Sequence, residues 1–533
     1  MMQVVSSLLG AVGLTLALWA LSWAFTLPGL REAGLPPGPK ALPIIGSLHK
    51  IPRTGIHLQF TKWARIYGPI VSLKIGHGTM VVLSSAKYAV QLLDKRSARY
   101  SNRPPSYVVG KLVFHDDHPM FMNADERWKL RRKLYYGLLR ESRCNAEHVA
   151  LVEAEASQLV RDFCIDPEAL MLHPGRFSNS IIMSLVFGIR TPRYDTPHYL
   201  ALQSIMTELS ALGEVGATPP VDLLSILRYV PERLWGNWRT RAAGLHQKLH
   251  ALHAPLIDRV LERRRTSADK TAPASRATFL DDVLDAQETL QLTRSELEIM
   301  CGNLLEGGTD TMATTILTLC QAMANNPSIQ AAAHDHVDSV LDATRSPTWS
   351  DYAKLPYISM IIKELLRWRP PAPSAFPHAT ASPDTVDEMR IPAGATVMVN
   401  IWGIHHDASR YPSPETFDPS RFEGQTAPAP VYANAADPDT RDHFAYGAGR
   451  RICPGIHLAE RALFVAVAKM LWAFDFEPKD GQKVNVDPAT AYRDGFLNQC
   501  RPFEVVVRVR SEERRRVLMA EAAVAEEVFK KYT

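Results

Sequence analysis

A mainly α fold with smaller β-sheets (α+β) is what this sequence predicts, on three observations. Helical periodicity covers most of residues 147–265. A second helical run opens at Thr293, where Glu296 completes a capping box, and continues to Asn325-Asn326-Pro327. At roughly 32 residues it is far longer than the usual helix. Strand patterns are short and local. Ile70-Val-Ser-Leu-Lys-Ile75 and Met80-Val-Val-Leu83 flank Gly76-His-Gly78, which predicts a hairpin.

Length alone, 533 residues, suggests about three domains. Apolar residues make up 46% of the chain, ample for a large core. The net charge of +4 is too small to argue for nucleic acid. The six cysteines (Cys144, Cys164, Cys301, Cys320, Cys453, Cys500) form no C-x-x-C pair and no small-domain framework. That points to free thiols in a reducing compartment.

From the N-terminus, Val4 to Phe25 carries no charged residue, and the first charge is Arg31. As a helix this stretch spans roughly 33 Å, enough to cross a bilayer core. It lacks the basic n-region and short apolar core of a secretory signal. Trp19 and Trp23 fall toward one end, and Arg31, Lys40, Lys50 and Arg53 all follow it. The expectation is a membrane anchor with the remainder in the cytosol, a buried core helix being the alternative. Leu35-Pro-Pro-Gly-Pro39 excludes helix and central strand and reads as a stiff linker. After the hairpin, Asn102 to Asn123 lacks clean periodicity and reads as a long loop, a kind often functional.

Trp128-Lys-Leu-Arg-Arg132 sets an aromatic ring and a guanidinium four residues apart on one helix face. Alone, this is a surface stack of Arg on Trp. The helical stretch from Glu147 to Arg265 breaks at Gly216-Ala-Thr-Pro-Pro220, and Thr266 to Ala277 is a small, polar linker. In the middle of the long helix lies Glu306-Gly-Gly-Thr-Asp-Thr311. Two glycines there cost about 1 kcal/mol each relative to alanine. Either another helix packs close, or this one opens locally and frees backbone groups to hold water.

Glu364-Leu-Leu-Arg367 lies on an amphipathic helix over Tyr357 to Trp368, ended by Pro370-Pro371. Residues three apart are neighbours, and among apolar side chains such charges must pair. His378 follows Pro377 in a strand-like stretch; on its own it reads as a satisfied core or surface residue. Phe444-Ala-Tyr-Gly-Ala-Gly-Arg-Arg-Ile-Cys453-Pro-Gly455 is a glycine-rich loop that runs into a helix marked by Leu458, Ala462, Val465 and Met470. The positive end of that helix favours a thiolate at Cys453. A thiolate in a tight loop suits a metal better than a disulfide, and Gly447, Gly449 and Gly455 leave room for a flat cofactor. A glycine-rich turn with a structural cysteine is the plainer reading. A zinc site from His443, Cys453 and His457 lacks the paired short spacings of such sites. The tail, Glu512 to Thr533, carries an apolar stripe at Leu518, Ala522, Ala525 and Phe529 and reads as a solvated or surface-docked helix without chemistry.

The cysteine loop resembles the haem-binding signature of the cytochrome P-450 family, F-x-x-G-x-R-x-C-x-G. Gly449, Arg451, Cys453 and Gly455 fall on the pattern, and Tyr446 stands where the family has Phe. The resemblance spreads over nearly the whole chain as one large domain. It implies haem b (iron protoporphyrin IX) with Cys453 as axial ligand, whose electron push favours O–O cleavage. Trp128 and Arg132 match the family's W-x-x-x-R, which implies that both reach a haem propionate. His378 falls where the family places a basic residue on a propionate. Gly307, Gly308, Asp310 and Thr311 match the oxygen-binding motif [A/G]-G-x-[D/E]-T. That implies Asp310 and Thr311 as catalytic residues passing protons to dioxygen, and a monooxygenase rather than a rearranging member. Glu364 and Arg367 match E-x-x-R, completed by Arg421 in Pro419-Ser-Arg421-Phe422, as a structural triad behind the thiolate loop.

The resulting expectation is a cytochrome P-450 fold with an N-terminal transmembrane helix: anchor over 1–30, proline-rich hinge over 31–50, catalytic domain over 51–510, charged helical tail over 511–533. Its reaction inserts one oxygen atom from O2 into an apolar or aromatic secondary metabolite. Gly216-Ala-Thr-Pro-Pro-Val-Asp222 and Gly455-Ile-His-Leu-Ala-Glu-Arg461 resemble fungal secondary-metabolism members that hydroxylate small phenolic polyketides. A terpenoid or alkaloid skeleton is the second substrate class; a membrane-anchored haem- or metal-binding protein without catalysis is the remote alternative. Pocket walls are expected from Val108, Val109, Leu112 and Phe114; Leu304 and Leu305; Ala372, Pro373, Ala375 and Phe376; Phe496 and Leu497. No flavin or nicotinamide domain is evident, so electrons come from NADPH through a separate reductase, with cytochrome b5 as a further donor. The basic run Lys129 to Lys133 reads as a docking patch or a solvated face. Membrane lipid, substrate and O2 complete the expected partners, without nucleic acid. The expected location is the endoplasmic reticulum membrane, single-pass, facing the cytosol.

Overall fold

The structure is a computed structural model and describes residues 13–15, 29–214, 216–222, 225–267, 278–493, 495 and 497–532. Strands β1 (Ile70–Ile75) and β2 (Gly78–Leu83) form the expected hairpin, with Ile70 opposite Leu83 and Ile75 opposite Gly78. Gly76 takes the turn at φ 57°, the left-handed region that glycine enters freely. Helices α1 (Glu126–Leu139), α2 (Val149–Ile165), α3 (His173–Phe187), α4 (Pro197–Gly213) and α5 (Trp238–Ser267) follow, with the break between α4 and α5 at the expected prolines.

The axis of the molecule is α6 (Arg294–Asn325). Its capping box closes in both directions: Thr293 Oγ1 accepts the Glu296 N–H, and the Glu296 carboxylate accepts the Thr293 N–H at 2.9 Å. Most of its side chains are buried, with α3 packed along one flank. Next come α7 (Pro356–Trp368), β3 (His378–Ala379) and β4 (Thr396–Val399). β4 pairs parallel to β2 and antiparallel to β3, so the sheet runs β1-β2-β4-β3. Helix α8 (Ile456–Ala473), buried over nearly its whole length, packs against α2 and α6. It leads into β5 (Phe474–Pro478), which pairs antiparallel with β6 (Val505–Val509).

The tail folds as α9 (Glu512–Phe529), docked on α2. Leu518, Ala522, Ala525 and Phe529, the expected stripe, are all buried. Glu521 accepts hydrogen bonds from Lys469 Nζ and the Ser346 N–H, each at 2.9 Å, and the Arg190 guanidinium lies 3.2 Å over the Phe529 ring.

The expected transmembrane helix is corrected. Among the described residues no helix is long and apolar enough to cross a membrane. Of Val4 to Phe25, only residues 13–15 are described, as helix; the rest lies outside the described residues. The long helix α6 has the length, but Arg294, Glu296, Glu298, Glu306 and Asp310 lie along it. The membrane and endoplasmic-reticulum placement rested on that helix and falls with it.

Candidate active site

The loop from Phe444 to Gly455 is folded on itself and pinned at its flank. The Gly447 N–H donates to Phe444 O and the Cys453 N–H to Tyr446 O, both at 2.8 Å. Gly449 is required: at φ 67° its backbone is left-handed, and a Cβ there would lie 2.0 Å from the Leu93 carbonyl oxygen. Its N–H donates to the Asp94 carboxylate. Cys453, half-buried, lines a cavity. Burial pushes its thiol up, while the Gly455 N–H and the nearby Arg132 pull it down. The helix-end effect alone predicted a thiol shifted down; in the chain by itself, desolvation outweighs it. The Tyr446 ring lies 5.5 Å from that of His443, and burial holds its hydroxyl protonated.

Five side chains with basic or indole nitrogens gather on the cavity wall beside this loop: Arg103, Trp128, Arg132, His378 and Arg451. Sequence reading found all but Arg103. Arg451 donates to the carbonyls of Ser101 and Pro119, each at 2.9 Å, and of Met122. Its guanidinium lies 4.1 Å over the Trp128 ring, so Trp128 stacks on Arg451 and not on Arg132. Arg132 donates to Ile452 O. Arg103 donates to Met120 O at 2.8 Å, Phe376 O at 3.0 Å and Pro377 O at 2.7 Å. His378 Nδ1 sits 2.7 Å from Tyr100 O; burial, with Arg103 and Arg451 nearby, holds its pKa well below the usual value.

Arg103, Arg132 and Arg451 are half-buried, and among the described residues none of them has a carboxylate within ion-pair distance, whereas buried Arg131, Arg176, Arg367 and Arg441 do. Desolvation lowers Arg103 to about 10 and Arg451 to about 9. Buried charge left uncompensated is costly, so a ligand of opposite charge belongs there. A flat dicarboxylate cofactor with a metal over Cys453 fits that donor set, and haem b is one.

Across the cavity, Thr311 donates its hydroxyl to Gly307 O at 2.9 Å, one helical turn back, and lines the cavity. Asp310 does not. It is buried on the neighbouring face of α6, where its Oδ1 accepts from Gln203 on α4 at 3.1 Å and the Gln499 side chain also approaches its carboxylate. Burial pushes its carboxyl up. The local helix opening expected at the two glycines is absent; α6 is continuous there. Gly308 answers to packing, since a Cβ would meet Ile182 of α3 at 2.6 Å, while Gly307 borders open space. Two further residues of this wall went unread in the sequence: His118 and Glu306, 3.0 Å apart.

On the other side of the loop, Arg367 grips Glu364 through two bonds of 2.6 Å. Arg421 Nε lies 3.5 Å from the same carboxylate, and the Asp418 N–H donates to it at 2.8 Å. Burial pushes the Glu364 carboxyl up against those pulls. The three triad residues therefore meet around one carboxylate. His405, also unread, ties them to the loop: its Nδ1 sits 3.1 Å from Arg367 O, and the Phe444 N–H donates to its Nε2 at 2.7 Å. The basic run does not form one patch. Arg131 is buried against Glu296 and Asp117, Arg132 faces the cavity, and Lys129 and Lys133 remain exposed.

Between the two sides lies a cavity of about 370 Å3. Of the expected wall residues, Phe114, Leu304, Ala372, Ala375, Phe376 and Leu497 line it; Val108, Val109, Leu112, Leu305 and Pro373 do not. Phe496 lies outside the described residues. All six cysteines are free thiols.

A family profile described as Cytochrome P450 matches residues 36–507. Cytochrome P450 monooxygenase anuE of Penicillium roqueforti (strain FM164) is 60% identical over 486 residues, covering 90% of this chain and 98% of its own. A cytochrome P450 monooxygenase of Arthrobotrys oligospora is 45% identical over 520 residues, 96% of each chain. Among solved structures, a zebra fish cytochrome P450 with progesterone has the same fold, with TM-score 0.69 at 21% identity over 85% of this chain and 99% of that one.

Proposed function

The chain belongs to the cytochrome P450 family, as a monooxygenase of the fungal secondary-metabolism type, and on that premise we propose that it hydroxylates a compact aromatic, polyketide-derived compound. The observation that carries the substrate class is the apolar part of the cavity wall, formed by Phe114, Leu304, Ala375, Phe376 and Leu497. Such walls favour a small apolar or aromatic molecule.

Haem b, when bound, supplies the activation of O2 with electrons that reach it from NADPH through a separate reductase, cytochrome b5 serving as a second donor. The chain's own residues do the rest. Cys453 would hold the iron, its sulfur tempered by the Gly455 N–H. Arg103, Arg132, Arg451, Trp128 and His378 would hold the propionates, with Gly449 and Gly455 keeping the loop close. Thr311 holds a proton at Oγ1 on the cavity wall. Asp310, next to Thr311 in sequence and with raised proton affinity, would act as a proton source only through an intervening group, since it does not line the cavity.

The test is co-expression with a reductase and titration against panels of phenolics, terpenoids and alkaloids. A low-to-high spin shift and one added oxygen atom with phenolics supports the reading. Response only to a bulky terpenoid overturns it.

A further inference from the structure

Tyr135, Asn303 and Thr315 also interrupt the apolar part of the cavity wall, but the His118–Glu306 pair is the break that carries a carboxylate. His118 lies on the loop before α1 and Glu306 on α6, one residue ahead of Gly307; both are buried and both line the cavity. The tautomer follows from the bonds. His118 Nδ1 accepts the Met120 N–H at 3.2 Å, so Nε2 carries the proton and donates to Glu306 Oε2 at 3.0 Å. A carboxylate offers about four acceptor sites, and this bond fills one. A carboxylate in an apolar wall is costly unless its remaining capacity is met. Aromatic rings stand beside it: the Phe114 ring is 4.3 Å from that of His118, and Phe121 stacks on Phe114 at 5.9 Å.

We propose that Glu306, oriented by His118, is the hydroxyl anchor of the substrate site: its carboxylate accepts a hydrogen bond from a substrate hydroxyl while Phe114 and Phe121 pack on the adjoining ring. The ring packing rests on the proposed aromatic substrate; the hydroxyl anchor does not. A site of this kind rejects an analogue that lacks the donor, because the carboxylate is then left unpaired. A pair that only tethered the loop to α6 would affect all ligands alike.

The experiment uses the haem-loaded full chain as wild type, Glu306→Leu and Glu306→Gln. Each is first checked for the thiolate carbon-monoxide band, and dissociation constants are then read from the spin-state shift. The probes are p-cresol, its isostere p-xylene, p-methylanisole, and the pair borneol and bornane. Wild type is expected to bind p-cresol roughly tenfold or more tighter than p-xylene and p-methylanisole. Glu306→Leu should erase that ratio and Glu306→Gln should shrink it, so the conservative variant decides if the Leu variant fails to load haem. Equal binding of the three arenes, or a ratio that survives Glu306→Leu, overturns the anchor and leaves the aromatic reading standing. Binding of borneol over bornane, sensitive to Glu306→Leu and with no arene bound, keeps the anchor and overturns the aromatic reading. Borneol and bornane bound alike with no arene bound, or no binding by any probe, overturns both.

Discussion

On one side of the cysteine loop, the arginines meet a carboxylate; on the other, they do not. Glu364, Arg367 and Arg421 meet around one carboxylate, and the remaining Arg367 donors reach the carbonyls of His405, Pro414 and Thr416. That network is spent on the protein itself. Arg103, Arg132 and Arg451 reach only carbonyls, and their charge stays unmatched among the described residues. The difference teaches how to tell scaffold from site: groups whose needs are met internally hold the loop, and groups left over are kept for a ligand.

The sharpest way to break this comparison is Glu364→Ala. It strands the buried Arg367 guanidinium, takes the partner of half-buried Arg421, and is expected to cost about 3–5 kcal/mol. Haem content and the melting temperature should both collapse; an unchanged melt would mean that the triad is not the scaffold. His405→Ala comes next. It leaves the Phe444 N–H and the Arg367 carbonyl without partners, about 1–3 kcal/mol for each group.

His405 also sets a pH dependence. Burial, with His443, His406, Arg367 and Arg410 around it, holds its pKa well below that of the unfolded chain. The unfolded state therefore binds the proton first. Stability is full above about pH 6.5 and falls below it, by up to about 1.4 kcal/mol per pH unit. Thermal melts at successive pH values should show this slope lessened in His405→Ala, though not abolished, since His378 is likewise depressed. An unchanged slope would remove His405 from the account.

Arg103→Leu sharpens the comparison from the other side. It relieves an unmatched charge but strands the carbonyls of Met120, Phe376 and Pro377, so the cofactor-free protein should lose less stability than in Glu364→Ala, while haem dissociates several-fold faster, worth about 1 kcal/mol. Destabilisation like that of Glu364→Ala would erase the distinction. The smallest effect on stability is expected from Thr311→Ala, within about 0.5–1 kcal/mol. It should keep haem and substrate binding but release peroxide as NADPH is consumed. Unchanged coupling would show that protons arrive by another route.

Much of this was legible in the sequence because the signals were contiguous. The capping box at Thr293, the hairpin around Gly76 and the loop to Cys453 each lie within a dozen residues or so, and each folds as read. Glu364 and Arg367 were legible as helix neighbours. What escaped depends on distance along the chain. Arg103 earns its place from carbonyls at Met120, Phe376 and Pro377, and His118 meets Glu306 across 188 positions. Asp310 was read with Thr311 because they adjoin, yet consecutive helical residues point about 100° apart, and only one of them faces the cavity. The apolar stretch at the N-terminus was read from hydropathy alone, and the described residues contain no membrane-crossing helix.

The central claim is that the uncompensated rim and Cys453 together hold haem through sulfur. The reduced, carbon-monoxide-bound spectrum of purified wild type and of Cys453→Ser tests it most directly. Wild type is expected to show the red-shifted Soret band of thiolate ligation, and Cys453→Ser to lack it. A normal band in Cys453→Ser would contradict the account.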